Sequence, residues 1–414
     1  MKHDILTTNE ESLSIEVIAG KINSSRFKNI TKKGARIFDN GKIYSNSFVG
    51  EIADLELLKK GTEAKEKVGV GIPFDYSIPL NPQLKIEDTE SMKAPLSSIN
   101  EAIELTQERL SKYFNDFVFN GKFQRSIHSR KMINSEGMLL ERKFAHNEWH
   151  YLFKQVGSPN LFDGYFEESG KKLNIKDVLD KCIPYLEAYK NEIKFTAGKY
   201  PVIFIENGQL MGKLAESLIA EKYCEGSALY SGKLNQKLFS SDFSLYDVNH
   251  SPDHGLYRKF DGEGTIRELS HLPLIEKGVM KNIIADLRTA KKYGVEATGN
   301  GQRGTDSAVG TSFNSLVIGA GKRSTQEILN SLDVCVVVFM GHGGDFTDKG
   351  DFSTPLHLSF LVKKGEIIGR LPQLTVKTST EEMFGSRLLE IASDGFQKSN
   401  LGPSLFSEMD VYLN

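Results

Sequence analysis

Apolar and polar residues alternate in SIEVIAGKI and again in ARIFDNGKIYSNSFVG, near the start of the chain. A period of two predicts half-buried strands. Asn40-Gly41 predicts a tight hairpin there, because both residues tolerate positive φ. A helix is expected from about Ile52 to Val68. The proline-punctuated stretch GIPFDYSIPLNPQLKIEDTESMKAP, residues 71–95, predicts a loop or extended connector. Helical periodicity returns at Ser98, with Glu101 at capping-box spacing, and runs through INEAIELTQERLSKYF. Residues 117–156 predict further strands, with NGKF and NSEG as turns. NIKDVLDKCIPYLEAYK predicts a helix interrupted at Pro184.

A boundary is expected near Thr196–Lys199, before the strand-like YPVIFIENG. In GQLMGKLAESLIAEKYC, Leu210, Leu214, Leu218 and Ile219 share one helical face. HLPLIEKGVMKNIIADL carries weaker strand alternation, and Ser324 with Glu327 and Ser379 with Glu382 predict two short capped helices. Mixed elements followed mostly by strands, without repeating βαβ units, predict an α+β fold with antiparallel sheets. The expected division is an N-terminal mixed α/β domain over residues 1–195 and a C-terminal, mostly antiparallel β domain over residues 196–414.

Composition narrows the classes. The chain has 414 residues, with 39% hydrophobic and 26% charged residues and a formal net charge of −2. That is the profile of a water-soluble globular protein, and the interspersed charge gives no electrostatic footprint for nucleic acid. No apolar run approaches the roughly 18–20 residues that span a bilayer, and the N-terminus turns acidic at once. Cys182, Cys224 and Cys335 are too far apart for a metal knuckle or a disulfide framework. Cys335, inside VCVVVF, reads as a buried structural thiol. A cytoplasmic protein binding neither membrane nor nucleic acid is expected.

GHGGDFTDKGDFS, Gly341 to Ser353, is the densest candidate for chemistry. It lacks the GxxxxGK[ST] of a phosphate loop. Asp345, Asp348 and Asp351 fall three apart, which is not the alternate spacing of a calcium loop. Its glycines imply unusual backbone angles or a closely approaching ligand; a plain inter-strand turn accounts for it equally. HNEWH puts His146, Glu148 and His150 on one face of a strand, a workable metal geometry and equally an ordinary polar face. His250 and His254, in NHSPDHG, are weaker candidates. No nucleophile elbow or Ser/His/Asp set is readable.

Several blocks, in order, resemble the TldD/PmbA family, known as modulators of DNA gyrase and as metallopeptidases. They are FDNGKI, NSEG, TAGKYPVIFIENG, SALYSGKLNQKLFSSDFSLYD, FDGEGT, LIEKGVMKNIIADLRTAKKYG, ATGNGQRG, KGDFS and LVKKGEIIGRLPQLTVKTSTEEMFGSRLLEIASD. The resemblance implies a two-subunit peptidase, acting on peptides or unfolded segments. Its TldD-type chain carries a divalent metal, zinc, on a His-Glu-x-x-x-His helix completed by a C-terminal cysteine. This chain departs from that pattern. Counting back from Ser231-Gly232, Met211 stands at the first histidine, Gly212 at the catalytic glutamate and Glu216 at the second histidine, and SNLGPSLFSEM has no cysteine.

The resemblance therefore implies a PmbA/TldE-type subunit without a metal or cofactor of its own. It depends for proteolysis on a TldD-type metal-bearing partner, or forms a homodimer. Its substrate-lining candidates are Gly341, His342, Gly343, Gly344, Asp351 and Phe352. Two alternatives stand beside this reading: a non-catalytic binding or scaffold homo-oligomer, and a hydrolase with its own site around His146/His150 or His342.

Overall fold

The computed structural model describes residues 2–94, 98–252, 255–341, 343–396 and 402–414. The early alternation becomes a long hairpin, β1 (Lys2–Ile18) and β2 (Lys21–Asp39), followed by β3 (Lys42–Val49). Asn40 at φ 48° and Gly41 at φ 70° turn β2 onto β3, as the pair predicts. Helices α1 (Asp54–Val68) and α2 (Ser98–Leu110) also fall where expected. Strands β4 (Phe117–Asn134), β5 (Leu139–Gln155) and β6 (Gly164–Gly170) complete the first half. One eight-stranded sheet results, in the order 72–73, β3, β2, β1, β4, β5, 83–87, with β6 also on β5.

Three expectations fail here for physical reasons. NGKF is not a turn: β4 runs straight through it. Gly121 lies opposite Tyr151, and a Cβ there would come 2.0 Å from the tyrosine ring. The glycine makes room for a buried aromatic and does not reverse the chain. The stretch 71–95 is not all loop either. Gln83–Glu87 pairs in parallel with β5, and Thr89–Lys93 forms a helical turn whose Ser91 N–H donates to the Asp88 side chain. Long-range pairing satisfies backbone groups that local composition could not. Finally, α3 (Ile175–Ala188) continues past Pro184, which sits on the solvent face while Ile183, Tyr185 and Leu186 are buried.

The second half is built on a ring of strands: β7 (Gly198–Phe204), β11 (Cys335–Gly341), β12 (Asp351–Lys363), β13 (Leu374–Ser379) and β14 (Leu405–Leu413). Long β12 pairs through residues 351–356 with β13 and through 356–362 with β11, which closes the ring. A smaller sheet holds β8 (Leu245–Val248), β9 (His271–Glu276) and β10 (Leu316–Ile318). Cys335 is buried in β11, and burial pushes its thiol pKa up.

The helix expected over 208–224 is divided into a tight turn, Gly208–Met211, then α4 (Gly212–Ser217) and α5 (Ala220–Cys224). The break falls where Ile219 forms a β-bridge with Ile284. Two short helices follow, α6 (Leu287–Tyr293) and α7 (Thr325–Ser331), and α7 carries the predicted Ser324–Glu327 capping box. Glu382 N–H donates to Ser379 Oγ as expected, but the turn over Glu382–Ser386 is wider than an α-helix.

The two halves share a core. Tyr185 of α3 packs edge-on against Phe360 and against Phe339, in the cluster that also holds Phe117 and Phe153 of the first sheet. Among the described residues, no helix is long and apolar enough to cross a membrane.

Candidate functional site

The structure brings together two stretches more than a hundred residues apart. Gly212 opens α4 beneath Phe346 of the glycine-rich loop, and a Cβ at Gly212 would lie 3.6 Å from that ring. Lys213 Nζ stands 3.6 Å from Asp348 Oδ1 and 3.2 Å from Glu216 Oε2. The loop is therefore laid across the stretch that holds Gly212 and Glu216. Its backbone is strained in the predicted way: Gly343 has φ 77° and Gly344 φ 98°. A Cβ on Gly344 would strike Thr354 at 2.4 Å, and Thr354 Oγ1 donates to Gly343 O.

The candidate residues divide sharply. Gly341 closes β11 against Gln209. Exposed Asp351 accepts a hydrogen bond from Thr347 Oγ1 and shapes the turn into β12. Phe352 is only 2% exposed and packs on Phe346 at 4.8 Å, so its side chain belongs to the core and lines no open surface. His342, like His254, lies outside the described residues.

The donor set on α4 does not suit a divalent metal. Met211 is buried among Leu210 and Leu214, Gly212 has no side chain, and Glu216 is taken up by Lys213 and Lys222. The hydrogen bond from Lys222, reinforced by Lys213, holds the Glu216 carboxyl below its usual range. A soft thioether and one ion-paired carboxylate cannot replace the imidazoles that hold zinc. Among the described residues, no group of three or more His, Cys, Asp or Glu is arranged for a metal.

HNEWH lies on β5 as the strand reading expects. His146 and Glu148, 3.8 Å apart, line a cavity of about 490 Å³ on the open face of the first sheet. His150 is not among its lining residues and packs against Tyr165. Burial lowers the pKa of both histidines, which favours neutral imidazoles. Arg130, Arg142 and Arg258 line the same cavity, and sequence reasoning missed them. The signal was faint: HSR and LER place an arginine on each of two strands, but only the register sets them opposite each other.

FDGEGT and ATGNGQRG form a buried polar knot between the halves. Asp261 accepts from the N–H groups of Glu263, Thr265 and Gly301. Arg303 Nη2 donates to Asp4 Oδ1 at 2.8 Å, across 299 positions of sequence. Burial raises the Asp261 carboxyl to about 6. Burial and the neighbouring Asp261 raise Glu263 to about 7. These loops tie the two halves of the chain together.

Comparison with known proteins agrees with the arrangement. Residues 197–412, more than half of the chain, match the family described as PmbA/TldA metallopeptidase C-terminal domain. A metalloprotease of Archaeoglobus fulgidus is 24% identical over 399 residues, covering 92% of this chain and 89% of that protein. A metalloprotease PmbA homologue of Buchnera aphidicola is 22% identical over 201 residues, covering 48% and 42%. The crystal structure of TldE from Thermococcus kodakarensis has the same fold, with a TM-score of 0.86 and 17% identity over 100% of this chain and 97% of that one. The chain belongs to the TldD/PmbA metallopeptidase family.

Proposed function

We propose that this chain is the PmbA/TldE-like, metal-free subunit of a two-component metallopeptidase, shaping a cleft for peptides or unfolded segments while a TldD-type chain supplies the metal. The observation that carries the reading is α4. Its three motif positions hold a core methionine, a glycine under Phe346 and an ion-paired glutamate, a set with neither metal ligands nor a free general base. The glycine-rich loop above it offers the exposed backbone of Gly343 and Gly344 to an extended peptide, with Gly341 and Asp351 at its two ends, a recognition mode that demands little side-chain identity.

Co-expression with a TldD-type chain from the same genome tests this. The expected result is one co-purifying complex that cleaves an unstructured peptide, with metal only in the partner. Separate elution and an inactive mixture would overturn it.

One observation favours a second reading, a binding or scaffold homo-oligomer. Within the described residues, the outer part of β2, Lys21–Ile30, pairs on one side only, with β1, and exposes Ile22 and Phe27 at 58% and 63%. A free apolar edge is a template for another chain. Light scattering on the chain alone distinguishes the two: a stable homo-oligomer that ignores the TldD-type chain supports the second.

A further inference from the structure

The cavity on the first sheet is built from four adjacent strands and one covering segment. Its floor is Thr8, Asn9 and Glu10 of β1, Ile30 and Lys32 of β2, His128–Arg130 of β4, and alternate residues of β5. Gly255–Arg258 closes it from the second half. Arg130 of β4 and Arg142 of β5 are direct register partners. Like charges directly opposite on neighbouring strands are destabilising. Arg258 adds a third guanidinium.

Among the described residues, none of the three hydrogen-bonds to a carboxylate. Arg130 Nη2 donates to Arg303 O at 3.4 Å, Arg142 Nη1 to Tyr257 O at 3.2 Å, and Arg258 Nη1 to Asn314 O at 2.7 Å. All these acceptors are backbone carbonyls. Arg130 Nε is buried without any partner, and the Arg142 guanidinium lies over the Phe260 ring at 5.4 Å. Among the described residues, none of the three forms a salt bridge. Asp261 and Asp247 act on Arg130 and Arg258 only through space, and the cavity's own carboxylates, Glu10 and Glu148, influence the histidines instead. Burial lowers all three guanidiniums, Arg130 to about 10, and the neighbouring arginines press Arg130 and Arg142 down further.

Elsewhere among the described residues, three buried arginines meet carboxylates: Arg36 and Arg303 share Asp4, and Arg267 holds Asp247. Buried Arg125 instead donates to Asn147 Oδ1 and Ser91 O, away from this cavity. Arg130, Arg142 and Arg258 are half-buried, and three guanidiniums facing one cavity with only carbonyl acceptors form a place for an anion. We propose that this cavity is an oxyanion-binding site, taking the carboxylate or phosphate group of a small ligand between Arg130, Arg142 and Arg258. The planar fork of each guanidinium matches both anions in bidentate geometry. About 490 Å³ also leaves room for the body of such a ligand along Phe144 and His146. The site does not depend on the peptidase reading, since it uses neither α4 nor the glycine-rich loop.

Calorimetric titration of the full chain at low ionic strength tests the proposal with three probes: inorganic phosphate, an acetylated tripeptide with a free carboxylate, and the same tripeptide amidated. Saturable binding of phosphate or of the free-acid peptide, but not of the amide, is expected, and which one binds identifies the source of the anion. Arg142→Met and Arg130→Met should each weaken it at least ten-fold. Arg142→Lys should fall between, and Arg323→Met, at an exposed arginine paired with Glu390, should change nothing. Failure of both anions to bind the unmodified chain, equal binding of the amide, or binding that survives both methionine variants would overturn it. Circular dichroism of each variant confirms that it is folded.

Discussion

Two groups of arginines border the first sheet, one buried and one half-buried around a cavity, and they obey opposite rules. In the knot around Asp4, one carboxylate sits between Arg36 and Arg303. Burial alone would raise the Asp4 carboxyl, yet the two guanidiniums hold it below its usual range, and Asp4 in turn raises Arg36 against the effect of burial. In the cavity, the hydrogen bonds of Arg130, Arg142 and Arg258 to described residues go to backbone carbonyls. The first group ties the start of the chain to Arg303 in its second half. The second leaves electrostatic free energy unsatisfied, and unsatisfied charge beside an open cavity marks binding better than it marks folding. The difference lies in what faces the charge, since the residue type is the same.

Breaking the knot should have the largest effect. Asp4→Asn leaves two guanidiniums buried without a counter-charge, and a loss of about 3–5 kcal/mol is expected in urea unfolding. Emptying the cavity should do the reverse. Arg142→Met removes a charge that has no partner, and a gain of about 1 kcal/mol is expected by the same measurement. If both substitutions destabilise alike, the contrast between the groups is wrong.

A third, smaller effect depends on pH. Glu167, buried and hydrogen-bonded with Glu206, is raised from 4.5 to about 8. The folded state therefore binds more protons than the unfolded one between those values, so this contribution is full below about 4.5 and is lost as pH rises towards 8. Asp261 and Glu263 act in the same direction. His128, His146, His150 and His250, lowered by burial, act the other way below about 6.5, so the Glu167 contribution is read as a difference. Glu167→Gln should gain stability relative to the unmodified chain as pH rises from 5 to 8. Least of all, Lys213→Ala cuts surface ion pairs to exposed Asp348 and to Glu216, and the urea midpoint should barely move, because solvent screens such pairs.

Local pattern made much of the fold legible. The Asn40-Gly41 turn, the capping box at Ser324 and the strand carrying HNEWH each rest on a few neighbouring residues, and each stands in the structure. Apart from the helix that runs on past Pro184, the errors were non-local. Gly121 answered to Tyr151 across the sheet, Gln83–Glu87 to β5, and the break at Ile219 to Ile284. The candidate site divided the same way. Positive φ in the glycine-rich loop was readable from its glycines, whereas the burial of Phe352 and the placement of Phe346 over Gly212 were not.

By itself, then, the sequence determined the strand-and-turn grammar and the family blocks. These follow from residue type and short spacing, which act within a turn or two of chain. Only the tertiary structure decided that Arg130 and Arg142 stand opposite each other, that Arg258 closes over them, and that Asp4 lies between Arg36 and Arg303. Electrostatic energy depends on distance in space and on exclusion of water, and strand register and domain packing set both.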